Sequence, residues 1–170
     1  MEKKIPLKNY IILVIIFSVT IIAVFYMRDW YITTKEYYAQ NSVMTKVTRE
    51  IKNEEISNYV MENQRFILYV SSGQDSNIKD FEDEFKELIK KLDLNDDVLY
   101  MNMDGVNMDN FYKLIKGYSD SKKIENQIST SNCSLYLFDG GKITLVLNDV
   151  SSYSIKRLEN IIESWMMEDA

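Results

Sequence analysis

The chain has 170 residues, enough for one domain of ordinary size and an appendage. Hydrophobic residues make up 46% of it, which excludes a disordered chain and permits a real core. With 20 basic and 26 acidic side chains, one cysteine and no histidine, it carries a net charge of −6, cannot form an internal disulfide, and lacks the commonest general base and metal ligand.

Residues 10–27, from Tyr10 to Met27, form a charge-free apolar run interrupted only by Ser18 and Thr20. As a helix these eighteen residues rise about 27 Å, close to the roughly 30 Å hydrocarbon core of a bilayer. Lys3, Lys4 and Lys8 precede the run against a single Glu2, whereas Arg28 and Lys35 beyond it are balanced by Asp29 and Glu36. Positive charge stays inside, so residues 1–9 are expected in the cytoplasm and the rest of the chain outside. Bulky Val24, Phe25, Tyr26 and Met27 stand where a cleavage site would want small residues. They favour an uncleaved signal anchor over the rival reading, a cleaved signal peptide. No cysteine lies near the end of the run, which excludes a bacterial lipoprotein. Residues 28–42 read as a juxtamembrane stalk in which Trp30 and Tyr31 suit the headgroup level. Without residues 1–28 the net charge becomes −9, a poor surface for nucleic acid or anionic lipid.

The remainder, residues 43–170, reads as one domain. Alternation over Val43–Ile51 predicts a first strand. Asn53 is a plausible N-cap, with Glu54 and Glu55 in the first turn and an apolar stripe of Ile56, Tyr59 and Val60 reaching Asn63. Phe66–Val70 is a continuous apolar run, the pattern of a central strand covered on both faces. It passes through residues 71–78 into a strongly amphipathic helix capped by Asp75 or Ser76. Ile78, Phe81, Phe85, Leu88, Ile89 and Leu92 point inward on that helix; its outer face holds Lys79, Asp80, Glu82, Asp83, Glu84 and Lys86. Asp97–Met103 reads as a strand and Asn107–Tyr118 as a helix with Met108, Phe111, Leu114 and Ile115 inward. Ser119–Asn132 is polar, part helix and part loop. Asp139-Gly140-Gly141 separates two strands, a hairpin signature. The chain closes on a helix from Ser154 to Met166, apolar at Ile155, Leu158, Ile161, Ile162, Trp165 and Met166.

This order predicts an α/β domain: alternating units make parallel strands, and the hairpin adds an antiparallel edge. With its terminal helix it resembles the thioredoxin fold, a three-layer α/β/α with a mixed sheet, here behind one transmembrane helix. It is more closely similar to the membrane-anchored bacteriocin transport accessory proteins of Gram-positive bacteria. The residues that carry the likeness are Glu55–Val70, Ile78–Leu92, Val98–Asp104 and Leu135–Lys142. In that group a Cys-x-x-Cys pair sits at the strand-to-helix junction. Here the positions are Gly73, Gln74, Asp75, Ser76, Asn77 and Ile78, with no thiol among them. Thiol–disulfide exchange needs a thiolate, which a serine oxygen cannot replace. The cis-proline of thioredoxins aligns with Asn132 or Cys133, so an ordinary trans bond is expected there.

The groove that the resemblance implies would therefore comprise Gly73, Gln74, Asp75, Ser76, Asn77, Asn132 and Cys133. Two readings follow. One is a redox-inactive, membrane-tethered binding or accessory module whose partner is another envelope or exported protein. The other is a divergent single-cysteine oxidoreductase acting through Cys133, although that residue opens a strand rather than a helix and has no histidine beside it. No motif for a cofactor, metal or nucleic acid emerges. Asn95, Asp96, Asp97, Asn102 and Asp104 lack the order of a calcium loop, and no P-loop lysine follows Ser71-Ser72-Gly73.

Overall fold

The computed structural model describes residues 7–40, 42–72 and 76–167. The chain divides into two compact units, Met1–Gln40 and Asn41–Ala170.

The first unit is one helix, α1 (Leu7–Gln40). It takes in residues 28–40 of the segment read as a stalk. Lys8–Thr34 is long and apolar enough to cross a membrane. Phe17, Ile22 and Tyr26, on different sides of the helix, are all exposed, so no single face is set aside for a protein core. The Thr20 hydroxyl donates to the Ile16 carbonyl at 2.9 Å, so its polar group is satisfied within the helix.

The second unit contains β1 (Arg49–Glu50), α2 (Ile56–Glu62), β2 (Phe66–Ser71), α3 (Ser76–Lys91), β3 (Val98–Asn102), α4 (Met108–Lys116), α5 (Lys122–Gln127), β4 (Cys133–Asp139), β5 (Lys142–Asn148) and α6 (Ile155–Met167). The sheet order is β1-β3-β2-β4-β5. The first three neighbours run parallel, whereas β4 is antiparallel to β2 and β5 to β4. Order and directions are those of the thioredoxin fold, and the expected three-layer α/β/α architecture holds. One face of the sheet packs against α3 and α6, the other against α2, α4 and α5.

Strand β2 lies at the centre with all six residues buried, which is why its sequence is apolar without alternation. Gly140 and Gly141 adopt φ of +56° and +72°, as the two-residue turn joining β4 to β5 demands. The outer edge of β5 is covered. Ile143 donates to the Tyr118 carbonyl and accepts from the Asp120 amide, and the Asn148 amide group donates to the Gln127 carbonyl. The segment carrying α5 thus shields a strand that would otherwise template aggregation. Arg65 donates to the Trp165 carbonyl at 2.6 Å and lies 4.5 Å over its ring, closing the C-terminal end of α6.

Three sequence expectations are corrected. The strand expected over Val43–Ile51 shrinks to Arg49–Glu50, preceded by a 3-10 turn over Met44–Lys46. Here hydroxyls win over the ladder: Ser42 accepts the Met44 amide, Thr45 donates to the Ser42 carbonyl, and Thr48 donates to the Met44 carbonyl. Asn53 does not cap α2; it opens a 3-10 turn, and Glu55 accepts the Lys52 amide instead. Met166 is exposed, because Leu158, Ile162 and Trp165 already fill the inner face of α6.

Candidate functional site

The end of β2 is pinned from both sides. The Ser71 carbonyl accepts from the Met103 amide at 2.9 Å, the Ser72 amide donates to the Asn132 carbonyl at 3.1 Å, and the Ser72 hydroxyl donates to Asp104 at 2.8 Å. Asn102 in turn accepts the Asp104 amide. The junction, the loop after β3 and the approach to β4 therefore converge at one end of the sheet, as the order of elements leads one to expect.

Of the expected groove residues, Gly73, Gln74 and Asp75 lie outside the described residues. Ser76 and Asn77 open α3. Asn132 is exposed and meets the junction through its backbone. Among the described residues no peptide is cis, as expected ahead of Cys133.

Cys133 is 1% exposed, and Ser71 is its register partner across β2 and β4. Its thiol lies 3.3 Å from the Tyr69 hydroxyl. Burial, the dominant cause, pushes the thiol up to about 12. Burial thus disfavours the thiolate on which nucleophilic sulfur chemistry depends. Ser131 holds the strand start: its hydroxyl accepts the Cys133 and Asp149 amides and donates to the Asp149 carboxylate at 2.7 Å.

The residue missed by periodicity is Glu82. Its place among acids and lysines marks it for the solvated face, yet it is 3% exposed. One carboxylate oxygen accepts from Ser71 at 2.7 Å and from Tyr69 at 3.0 Å. Since Tyr69 spends its proton on Glu82, the Cys133 thiol must donate to the Tyr69 oxygen. The result is a buried chain, Cys133–Tyr69–Glu82–Ser71, spanning β4, β2 and α3. Burial raises the Glu82 carboxyl above the usual carboxylate range, and the two hydroxyl donors only partly offset it. Burial likewise raises Tyr69 well above an ordinary phenol, with the Cys133 and Glu82 charges adding to it. Tyr100 from β3 stacks on Tyr69 with ring centroids 5.9 Å apart. The one sequence signal for Glu82 was its position between Phe81 and Phe85, next to the apolar stripe.

Chemically the site is a set of hydrogen-bonding groups locked inside a core, under a junction with no thiol. Among the described residues no group of three or more acids or cysteines could hold a metal ion.

No family model matches the chain, and no curated protein matches it in sequence. Solved structures with similar coordinates include thioredoxins. The chain is 14% identical to mitochondrial thioredoxin 3 of Saccharomyces cerevisiae, over 71% of its own length and 97% of that chain, with a TM-score of 0.49. To thioredoxin O1 of Arabidopsis thaliana it is 18% identical, over 69% and 96%, with a TM-score of 0.46. To thioredoxin f2 of Chlamydomonas reinhardtii it is 12% identical, over 69% and 95%, with a TM-score of 0.47.

Proposed function

We propose that the chain is a membrane-tethered, redox-inactive thioredoxin-like binding or accessory module of the cell envelope. It is of the kind that the bacteriocin transport accessory resemblance suggests. Residues 10–27 anchor it with residues 1–9 in the cytoplasm, and residues 28–42 carry the domain of residues 43–170 on the outer side. The groove expected of residues 73–77, Asn132 and Cys133 receives another envelope or exported protein. Nucleic acid is not its partner, given the acidic balance of the chain.

The observation that carries the reading is the state of the single thiol. Cys133 is buried and hydrogen-bonded with Tyr69, while the junction where a thioredoxin places its cysteines has none. Length, hydropathy and the lysine bias of the first residues support the tether.

The test pairs two measurements. Protease added to intact protoplasts is expected to remove the folded domain; protection would reverse the topology. Reduction of a protein disulfide, with a dithiol present, is expected to proceed at the uncatalysed rate for wild type and Cys133→Ser alike. Turnover in wild type that the variant abolishes would replace this reading with a single-thiol oxidoreductase.

A further inference from the structure

Helix α6 sorts its charges. Glu159 turns toward α3, where it pairs with Lys91, and Glu163 lies near the same lysine. Lys156 and Arg157 lie instead on the side facing β5. There a cleft of about 740 Å³ opens between Thr144 and Leu145 of β5 and the helix face carrying Lys156, Arg157, Ile161 and Trp165. That volume is ordinary for a ligand site, within the roughly 300–1,000 Å³ range.

Among the described residues no carboxylate lines the cleft, in a chain whose net charge is −6. Both cations are exposed, and neither forms an ion pair with a described residue. The Arg157 guanidinium is held over the Tyr153 ring at 4.3 Å. A guanidinium held over a ring keeps donors free to meet a carboxylate. Leu145 and Ile161, both half-buried, supply apolar surface. Trp165 is 6% exposed, and its indole N–H has no acceptor, an uncommon state for a buried donor.

We propose that this cleft binds a short peptide segment alternating acidic and apolar side chains, displayed by a partner protein. Its carboxylates meet Lys156 and Arg157, and its apolar side chains cover Leu145, Ile161 and Trp165. Among the described residues, the cleft lining includes none of those expected in the junction groove.

The experiment uses the full chain in zwitterionic detergent micelles. The probe is the capped peptide Glu-Leu-Glu-Leu, and its Lys-Leu-Lys-Leu counterpart is the control. The two indole N–H resonances are assigned with Trp30→Phe. The acidic peptide is expected to shift the Trp165 resonance saturably, with binding that weakens as salt rises. Lys156→Ala with Arg157→Ala is expected to weaken it about tenfold. Since both positions are exposed, the double variant should keep the wild-type melting temperature. Three outcomes overturn the proposal: no Trp165 shift at millimolar acidic peptide, equal binding of the basic peptide, or unchanged affinity in the folded double variant.

Discussion

The two faces of the sheet are built from alternate residues of the same strands, yet they solve different problems. On the face covered by α2, α4 and α5, β2 presents Phe66, Leu68 and Val70, and the packing is almost wholly apolar. Phe66 stacks on Phe138 with centroids 4.3 Å apart, and Tyr59 meets Phe66 edge-on at 5.0 Å. On the face covered by α3 and α6, β2 presents Ile67, Tyr69 and Ser71, and the core admits a thiol, a phenol, a hydroxyl and a carboxyl. The first face is held by area and shape alone. The second adds a chain of hydrogen-bonded side chains, Cys133–Tyr69–Glu82–Ser71, so a loss at one position reaches the others.

The largest expected effects do not distinguish the faces. Phe85→Ala under the polar face and Phe111→Ala under the apolar one each remove a fully buried ring. Each should cost about 3–5 kcal/mol in chemical denaturation. A loss below about 1 kcal/mol for either would mean that its helix is not docked as described.

A pair of identical substitutions separates the faces more sharply. Tyr69→Phe removes a hydroxyl that serves both Glu82 and Cys133, and should cost about 1–3 kcal/mol. Tyr136→Phe removes a buried hydroxyl that has no hydrogen-bond partner on the apolar face. It should change stability by less than about 0.5 kcal/mol, or raise it. Equal losses for the two would erase the contrast.

The pH dependence sharpens it further. Burial raises the Glu82 carboxyl in the folded state, so its favourable contribution is complete below its unfolded value and fades as pH rises through the folded one. Glu82→Gln keeps an oxygen for Ser71 and Tyr69 and carries no charge. Its melting temperature relative to wild type should therefore rise across a pH series that starts near the ordinary carboxylate range and climbs through neutrality. A difference that stays flat across that range would show that Glu82 titrates normally. Cys133→Ala should be among the mildest core changes, at about 1 kcal/mol, because it removes one small side chain and one weak donor.

Much of the scaffold was legible because long elements carry their own periodicity. The apolar run of β2, the stripe of α3 and the Gly140-Gly141 turn each dictate a local answer that no neighbour contradicts. Shorter elements yielded to side-chain chemistry. The hydroxyls of Ser42, Thr45 and Thr48 turned an alternating segment into a 3-10 turn, since a two-residue strand offers too few ladder bonds to resist them.

The candidate site divides along the same line. That the junction lacks a thiol and that the chain has one cysteine are facts of the sequence alone. So is the charge-free run near its N-terminus, because a helix apolar on every side needs no partner to be recognised. The sequence also set the order of elements, and right-handed crossovers left few ways to arrange them. What only the tertiary structure decided was the fate of individual polar groups. Glu82 is interior because Ser71 and Tyr69, eleven and thirteen residues away, supply its donors. Cys133 is interior because β4 pairs with β2, and Tyr69, sixty-four residues away, shares a hydrogen bond with its thiol. Periodicity reports which face of an element is apolar on average. Whether one charged or nucleophilic side chain can be buried depends on donors and acceptors brought from other elements, and those meet only when the chain is folded.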